Sequence, residues 1–142
     1  MCLTCMEDAK RFALNTLFTR RVDLTDAVMF DIDDTLIESK TGRPIEWTVD
    51  LFRLTQSLGY TCIIITARPD TPDTRMGTTL QLSRLGVFPN VLLFVPASQK
   101  SAQKSRLPYT IVMSFGDLWT DVGATRHYVK LPDVHDTRYH YT

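Results

Sequence analysis

The stretch that most constrains the fold of this chain is residues 27–36, where an uncharged run meets a cluster of acids. Residues 27–30 carry no charge, and Asp31, Asp33 and Asp34 follow directly. A short apolar run is typical of a strand buried on both faces of a sheet. Crowded carboxylates resist ionising together, and a fold tolerates them where a cation lies among them. We therefore predict a buried strand that delivers carboxylates into a metal-binding cleft.

The first two carboxylates of this cluster have a spacing that suits phosphoryl transfer. Asp31 and Asp33 are two residues apart, so both side chains can face one cavity as the chain leaves the strand. One carboxylate could attack phosphorus while the other exchanges protons, as in catalysis through an aspartyl phosphate. The alternative is a solvated acidic turn in which Asp34 or Thr35 caps the next segment.

Length and charge limit the classes of function. The chain has 142 residues, enough for one domain with a core. Sixteen basic and sixteen acidic side chains give a formal net charge of zero, so electrostatics provides no case for a nucleic-acid or membrane surface, although a local basic patch stays open. The longest apolar runs are too short to span a membrane.

The cysteines and the N-terminus bear on location. There are three cysteines, Cys2, Cys5 and Cys62, and an odd number suggests unpaired thiols in a reducing compartment. The N-terminus has no apolar signal core, so we expect a cytoplasmic protein. Cys2 and Cys5 have no second pair of ligands nearby, which argues against zinc.

Strand and helix patterns alternate along the chain. Helices are predicted over 6–20, 46–58, 71–85 and 98–107, and strands over 27–30, 60–66, 91–95, 109–113 and 127–131. This alternation predicts an α/β fold, a Rossmann-like three-layer sandwich with a central parallel sheet of about five strands. We expect one domain: a helix and connector over 1–25, a core over 27–132 and a docked or frayed tail over 133–142. The gaps between motifs hold no large cap domain.

Within these elements several side chains have predicted places. Cys62 should lie in the core, since its surroundings are apolar. Met76, Leu80 and Leu85 should face inward from the third helix, and Ser98 should cap the fourth helix.

Other polar side chains also follow predicted strands. Thr66 ends the second strand, Lys100 lies shortly after the third, and Asp117 and Asp121 follow the fourth. Ligands of parallel sheets bind outside the carboxyl ends of the strands, so these signals converge on one edge of the sheet. Taken singly, Thr66 could cap a turn and Asp117 a helix. Arg68 is close enough to join the site, but a structural role suits it equally.

These residues resemble the motifs of the haloacid dehalogenase (HAD) superfamily of phosphatases. The first motif, an apolar strand followed by D-x-D-x-T/V, is matched by residues 31–35, and the second, a strand ending in Ser or Thr, by Thr66. The third is a lysine, and the fourth, G-D-x-x-x-D, is matched by residues 116–121. Within the superfamily the chain looks most like the branch of plant and bacterial acid phosphatases and vegetative storage proteins. It departs from that branch in its shorter length, its missing secretion signal and Asp34 where Glu is usual.

The resemblance implies roles for individual residues. It makes Asp31 the nucleophile and Asp33 the acid and base, and it has the hydroxyl of Thr66 and a lysine hold the phosphoryl oxygens. The lysine is Lys100 by the spacing of the family, with Lys104 as the alternative. The implied cofactor is Mg²⁺, with four implied ligands: Asp31, the carbonyl of Asp33, Asp117 and Asp121.

Three functions remain in competition. The first is a phosphomonoesterase acting on a phosphorylated substrate that the sequence does not identify. Without a cap, the open cleft would admit a bulky ester, or a small one covered by an oligomer partner. The second is a phosphatase of nucleic-acid ends or phosphoproteins. The third is a non-catalytic storage or receiver module, against which the presence of Asp31 and Asp33 argues.

Overall fold

The central feature of the fold is a single sheet that runs through the middle of the molecule. The computed structural model describes residues 3–132 and 138–142. The strands are β1 (Asp26–Phe30), β2 (Thr61–Thr66), β3 (Val91–Phe94), β4 (Thr110–Gly116), β5 (His127–Lys130) and β6 (His140–Tyr141). The helices are α1 (Leu3–Phe18), α2 (Glu46–Ser57), α3 (Pro72–Arg84), α4 (Lys100–Arg106) and α5 (Trp119–Val122), with a 3₁₀ turn at Ala97–Gln99.

The order of the strands places a switch point at β1. The order across the sheet is β3-β2-β1-β4-β5-β6, with β1 to β5 parallel and β6 antiparallel to β5. The chain fills one side of β1 with β2 and β3 and then crosses to the other side to form β4. Ligands of such sheets bind where the strand order reverses, so the carboxyl ends of β1 and β4 are the expected location of a site.

Strand β1 is buried on both faces, as its apolar run predicted. All five of its residues are buried. On one face Phe30 stacks on Phe115, with 4.7 Å between ring centroids, and lies 5.1 Å from the ring of Phe52. On the other face Met29 belongs to a smaller apolar cluster with Ile63. Cys62 is fully buried, which confirms its predicted place in the core.

The predicted α/β fold with a central, mostly parallel sheet is confirmed, with one strand more than expected. The extra strand, β6, comes from the predicted tail, and it pairs with β5. Part of that tail, 133–137, lies outside the described residues. The helix predicted over 98–107 begins only at Lys100, after the 3₁₀ turn, and neither segment has a side-chain cap, so the prediction that Ser98 caps it is wrong.

The inner face of α3 also differs from the prediction. Met76 is 69% exposed and Leu80 is 51% exposed, whereas Thr78 and Leu82 are buried. The expectation that Met76 and Leu80 face inward is therefore wrong, while Leu85 packs partly buried against the core. The apolar pattern misled because a polar residue, Thr78, lies on the inner face, where its hydroxyl accepts a hydrogen bond from Arg68.

Helix α1 covers one edge of the main core. Ala9, Ala13 and Leu17 are buried on it, and the hydroxyl of Tyr60 donates a 2.7 Å hydrogen bond to the carbonyl of Leu17. Phe18, at its end, is 49% exposed. None of the helices in the described part of the chain is both long and apolar enough to cross a membrane.

Candidate functional site

Three buried carboxylates meet at the carboxyl ends of β1 and β4. Asp31 follows β1 directly, Asp117 follows β4, and Asp121 lies on the short helix α5. One oxygen from each lies within 4.8 Å of the others. All three are buried, with exposed fractions of 6%, 7% and 0%. The sheet edge predicted to bear the site thus holds a cluster of carboxylates with little access to water.

The backbone around this cluster explains how the acids come so close. The amide of Asp31 donates a 3.0 Å hydrogen bond to the carbonyl of Phe115, so the pairing of β1 with β4 continues up to the first carboxylate. A Cβ atom at Gly116 would lie 2.1 Å from the Cβ atom of Asp121, far inside contact distance. Asp121 can therefore fold back over the end of β4 only because residue 116 has no side chain.

Lys100 supplies the positive charge inside the cluster. It is 1% exposed, and its Nζ donates hydrogen bonds of 2.9 Å to Asp31 Oδ1 and 2.5 Å to Asp121 Oδ1. Burial alone lowers the pKa of a lysine, but here the charges of Asp31 and Asp121 outweigh burial and the pKa of Lys100 is raised. Lys100 is therefore a permanent ammonium that bridges two carboxylates.

The remaining negative charge is poorly compensated. Burial raises the pKa of Asp31 well above its usual range, and the charge of Asp121 adds to this effect while Lys100 opposes it. Burial likewise raises the pKa of Asp117 to about 6. The Oδ1 atom of Asp117 is buried and has no hydrogen-bond partner among the described residues. A buried acceptor without a donor is costly, so the cluster is short of positive charge.

These features fit a divalent cation held by oxygen ligands. Three carboxylates share a single ammonium, so a further positive charge would be needed to balance them when all are ionised. Carboxylate oxygens are the ligands that Mg²⁺, Ca²⁺ and Mn²⁺ prefer, and the orphaned Oδ1 of Asp117 is a free ligand atom. Both oxygens of Asp121 already accept hydrogen bonds, from Lys100 and from the amide of Leu118.

Lys104, the alternative to Lys100, contacts the backbone of the cluster and none of its carboxylates. Its Nζ donates to the backbone carbonyl of Asp121 at 2.5 Å and to the hydroxyl of Ser114 at 3.2 Å. Burial lowers its pKa to about 8, and the nearby charge of Lys100 contributes in the same direction. Of the two lysines, Lys100 is therefore the one whose ammonium contacts the Asp31 carboxylate.

The carboxylate of Asp33 points elsewhere, toward Arg68. The guanidinium donates two hydrogen bonds to this carboxylate, from Nε to Oδ2 at 3.0 Å and from Nη2 to Oδ1 at 2.8 Å. Asp33 is 41% exposed at its side chain, whereas Arg68 is 18% exposed. Asp33 thus stays open to solvent beside the buried cluster, and only its backbone carbonyl remains as the ligand atom predicted for a metal.

Thr66 ends β2, the strand next to β1. It is 1% exposed, and its hydroxyl oxygen accepts a 3.2 Å hydrogen bond from the backbone amide of Arg68. A hydroxyl that accepts in this way still has its own O–H to donate. The role predicted for Thr66, donation to a phosphoryl oxygen, is compatible with this bond.

The sequence left the position of Arg68 open, and the structure places its guanidinium against the carboxylate of Asp33. The structure also shows that Thr78 and Gln81, from α3, contact the same guanidinium. No motif marks either residue. In the sequence alone Thr78 and Gln81 are ordinary polar positions of a helix, so no signal in it pointed to this contact.

Comparison with known proteins supports the fold. No protein-family model and no curated protein sequence matches the chain, but nine chains of known structure do. One is a Class C acid phosphatase from Bacillus anthracis, 21% identical with a TM-score of 0.61. Another is the Class C acid phosphatase from the same organism with tungstate bound, 20% identical with a TM-score of 0.58. In both cases the match covers 80% of this chain and 60% of the phosphatase.

Proposed function

We propose that the chain is a Mg²⁺-dependent phosphomonoesterase of the HAD type that works through a phosphorylated Asp31. The observation that carries the proposal is the buried Asp31 carboxylate, held by Lys100 at 2.9 Å among two further acids at the switch point of the sheet. The fold shared with acid phosphatases supports it. Tungstate, which one of those structures contains, is a tetrahedral oxyanion like phosphate.

In the first half-reaction a carboxylate oxygen of Asp31 attacks phosphorus. The new O–P bond forms as the bond to the leaving oxygen breaks, and Asp33 gives its proton to that oxygen. Lys100 contacts Asp31 before the reaction, so its ammonium is in place to share the charge that spreads over the phosphoryl oxygens. The hydroxyl of Thr66 donates to the same group.

In the second half-reaction water attacks the phosphorus of the aspartyl phosphate. Asp33, now ionised, accepts the proton of the water, the bond between phosphorus and Asp31 breaks, and inorganic phosphate leaves. The 41% exposure of Asp33 allows exchange with water in this step. The two carboxylates therefore have different surroundings for different tasks: Asp31 is enclosed and Asp33 is open.

The implied metal has ligands in the same cluster. Asp31 and Asp117, with the carbonyl of Asp33 and with Asp121 acting through water, would hold Mg²⁺, which when bound neutralises negative charge beside the reacting phosphorus. Other oxygen-preferring divalent ions would suit these ligands by chemistry alone, so titrations with Ca²⁺ and Mn²⁺ belong in the same test.

The direct test is phosphate release from p-nitrophenyl phosphate, with and without Mg²⁺. The native chain should turn over only with the metal, and Asp31→Asn should abolish turnover because an amide cannot form the phosphorylated intermediate. Asp50→Asn is the matched control, because Asp50 is a surface acid of α2 that is 74% exposed. Turnover that survives Asp31→Asn would contradict the mechanism. A folded native chain that binds Mg²⁺ without any turnover would favour a non-catalytic module.

A further inference from the structure

We infer that Arg68 is a positioning residue that fixes the carboxylate of Asp33 for proton transfer to the leaving group. The inference rests on the proposed function, since it assigns to Arg68 a part in the same reaction. Its basis is the bidentate ion pair described above, in which each oxygen of Asp33 accepts one bond from the guanidinium. Paired parallel bonds of this kind fix the plane of a carboxylate as well as its distance.

The guanidinium is itself held from the opposite side. Its third nitrogen, Nη1, donates to Thr78 Oγ1 at 3.1 Å and to Gln81 Oε1 at 2.9 Å. Both partners lie on α3. Asp33 is in the loop after β1, so the arginine ties a loop carboxylate to a helix of the scaffold. A catalytic side chain on a loop needs such support from a rigid element if its geometry is to be reproducible.

The ion pair with Arg68 leaves Asp33 free to exchange a proton. A carboxylate has about four lone-pair positions, and the fork of the arginine uses two of them. The side chain is 41% exposed despite the ion pair, so it remains accessible to solvent. Arg68 also donates its backbone amide to Thr66, so one residue contacts both the acid and the hydroxyl expected at the phosphoryl group.

The alternative roles of Arg68 make different kinetic predictions. If the guanidinium bound the phosphoryl group instead, its loss would weaken binding of every phosphate ester. If it served only the stability of α3, its loss would lower the melting temperature and affect all substrates alike. A residue that acts through the general acid should affect only substrates whose leaving oxygen needs a proton.

The experiment compares two phosphate esters under saturating Mg²⁺. p-Nitrophenolate leaves without protonation, whereas the glycerol alkoxide of β-glycerophosphate requires it. The quantity to compare is kcat/KM, because it reports the steps up to departure of the leaving group. For Arg68→Met we expect a loss of ~100-fold on β-glycerophosphate, within the range for general acid catalysis, and only a few-fold loss on p-nitrophenyl phosphate.

Further variants separate positioning from other effects. Arg68→Lys should recover little of the kcat/KM that Arg68→Met loses on β-glycerophosphate, because an ammonium cannot make the paired contact. Gln81→Leu should lower kcat/KM less, but again more on β-glycerophosphate than on p-nitrophenyl phosphate. Arg75→Met is the matched control, since Arg75 lies on α3 near Thr78, is 53% exposed and pairs with Asp70 instead of Asp33. Adding Arg68→Met to Asp33→Asn should cause almost no further loss on β-glycerophosphate.

The outcomes distinguish this inference from the proposed function. Equal losses on the two esters, or losses that multiply in the double variant, would overturn the role of Arg68 and leave the phosphatase intact. A native chain without turnover on either ester overturns both. Selective loss on the alkyl ester, with an unchanged melting temperature, supports the inference.

Discussion

Lys100 and Lys104, one turn apart on α4, hold the same residue from two sides. Lys100 donates to the carboxylate of Asp121, and Lys104 donates to its backbone carbonyl. Both lysines are 1% exposed, which is unusual for a side chain that almost never becomes fully buried without a partner. Only Lys100 also contacts Asp31, so the two lysines should differ in what they contribute.

The first prediction separates their roles. Lys100→Met should lower turnover of p-nitrophenyl phosphate at least ~100-fold, because it removes a charge that would stabilise the transition state. Lys104→Met should retain most of the activity but lower the melting temperature by roughly 5 °C, because the carbonyl of Asp121 loses its buried donor. Activity assays and thermal melts of both variants check this. The reverse pattern would make Lys104 the lysine of the site.

The second prediction concerns pH and metal. The pKa of Asp117 is raised from 3.8 to about 6, so between these values the folded chain binds more protons than the unfolded chain. Metal-free stability should therefore fall as pH rises through this window. Ligands must be ionised to bind metal, so Mg²⁺ should raise the melting temperature more at pH 7.5 than at pH 5.

Asp117→Asn is the control for this pH effect. The amide cannot ionise, so the variant should melt higher than the native chain at pH 7.5 without metal, by a few degrees. It should also lose most of the shift caused by Mg²⁺. If Mg²⁺ does not change the melting temperature of the native chain at either pH value, the result would argue against the metal site.

The third prediction tests the close approach at the end of β4. Gly116→Ala should displace Asp121, because the added methyl group would lie 2.1 Å from the Cβ atom of that residue, and turnover should fall at least ~10-fold. Gly77→Ala is the matched control: nothing lies within 4 Å of its added Cβ, and alanine favours the helix by about 1 kcal/mol. Loss of activity in Gly77→Ala alone would contradict this account.

The fourth prediction concerns the faces of α3. Leu82→Ala should destabilise the chain by about 2–5 kcal/mol, because Leu82 is buried. Leu80→Lys should change stability by no more than about 0.5 kcal/mol, because Leu80 is 51% exposed. Denaturant titrations of both variants give these values. A large loss of stability in Leu80→Lys would indicate that Leu80 faces inward, as the apolar pattern indicated.

Helix α3 is oriented differently from what its apolar periodicity indicates. Met76 and Leu80 are spaced as an inner face should be, and the helix itself begins and ends close to its predicted bounds. The face turned inward is nevertheless the one with Thr78, because that hydroxyl contacts Arg68. A hydrogen bond between two polar side chains leaves no trace in the hydropathy pattern of the sequence.

The sequence by itself determined the fold class, the buried strand β1 and the edge of the sheet where Asp31, Thr66, Lys100 and Asp117 would meet. Those follow from local rules, since alternating patterns dictate a parallel sheet and such sheets bring their carboxyl ends to one edge. Only the tertiary structure decided which lysine contacts Asp31 and where the carboxylate of Asp33 points. Both features depend on contacts between residues distant in sequence, such as Arg68 and Asp33. The direction of a side chain in such a contact is set by tertiary packing, which local sequence patterns do not encode.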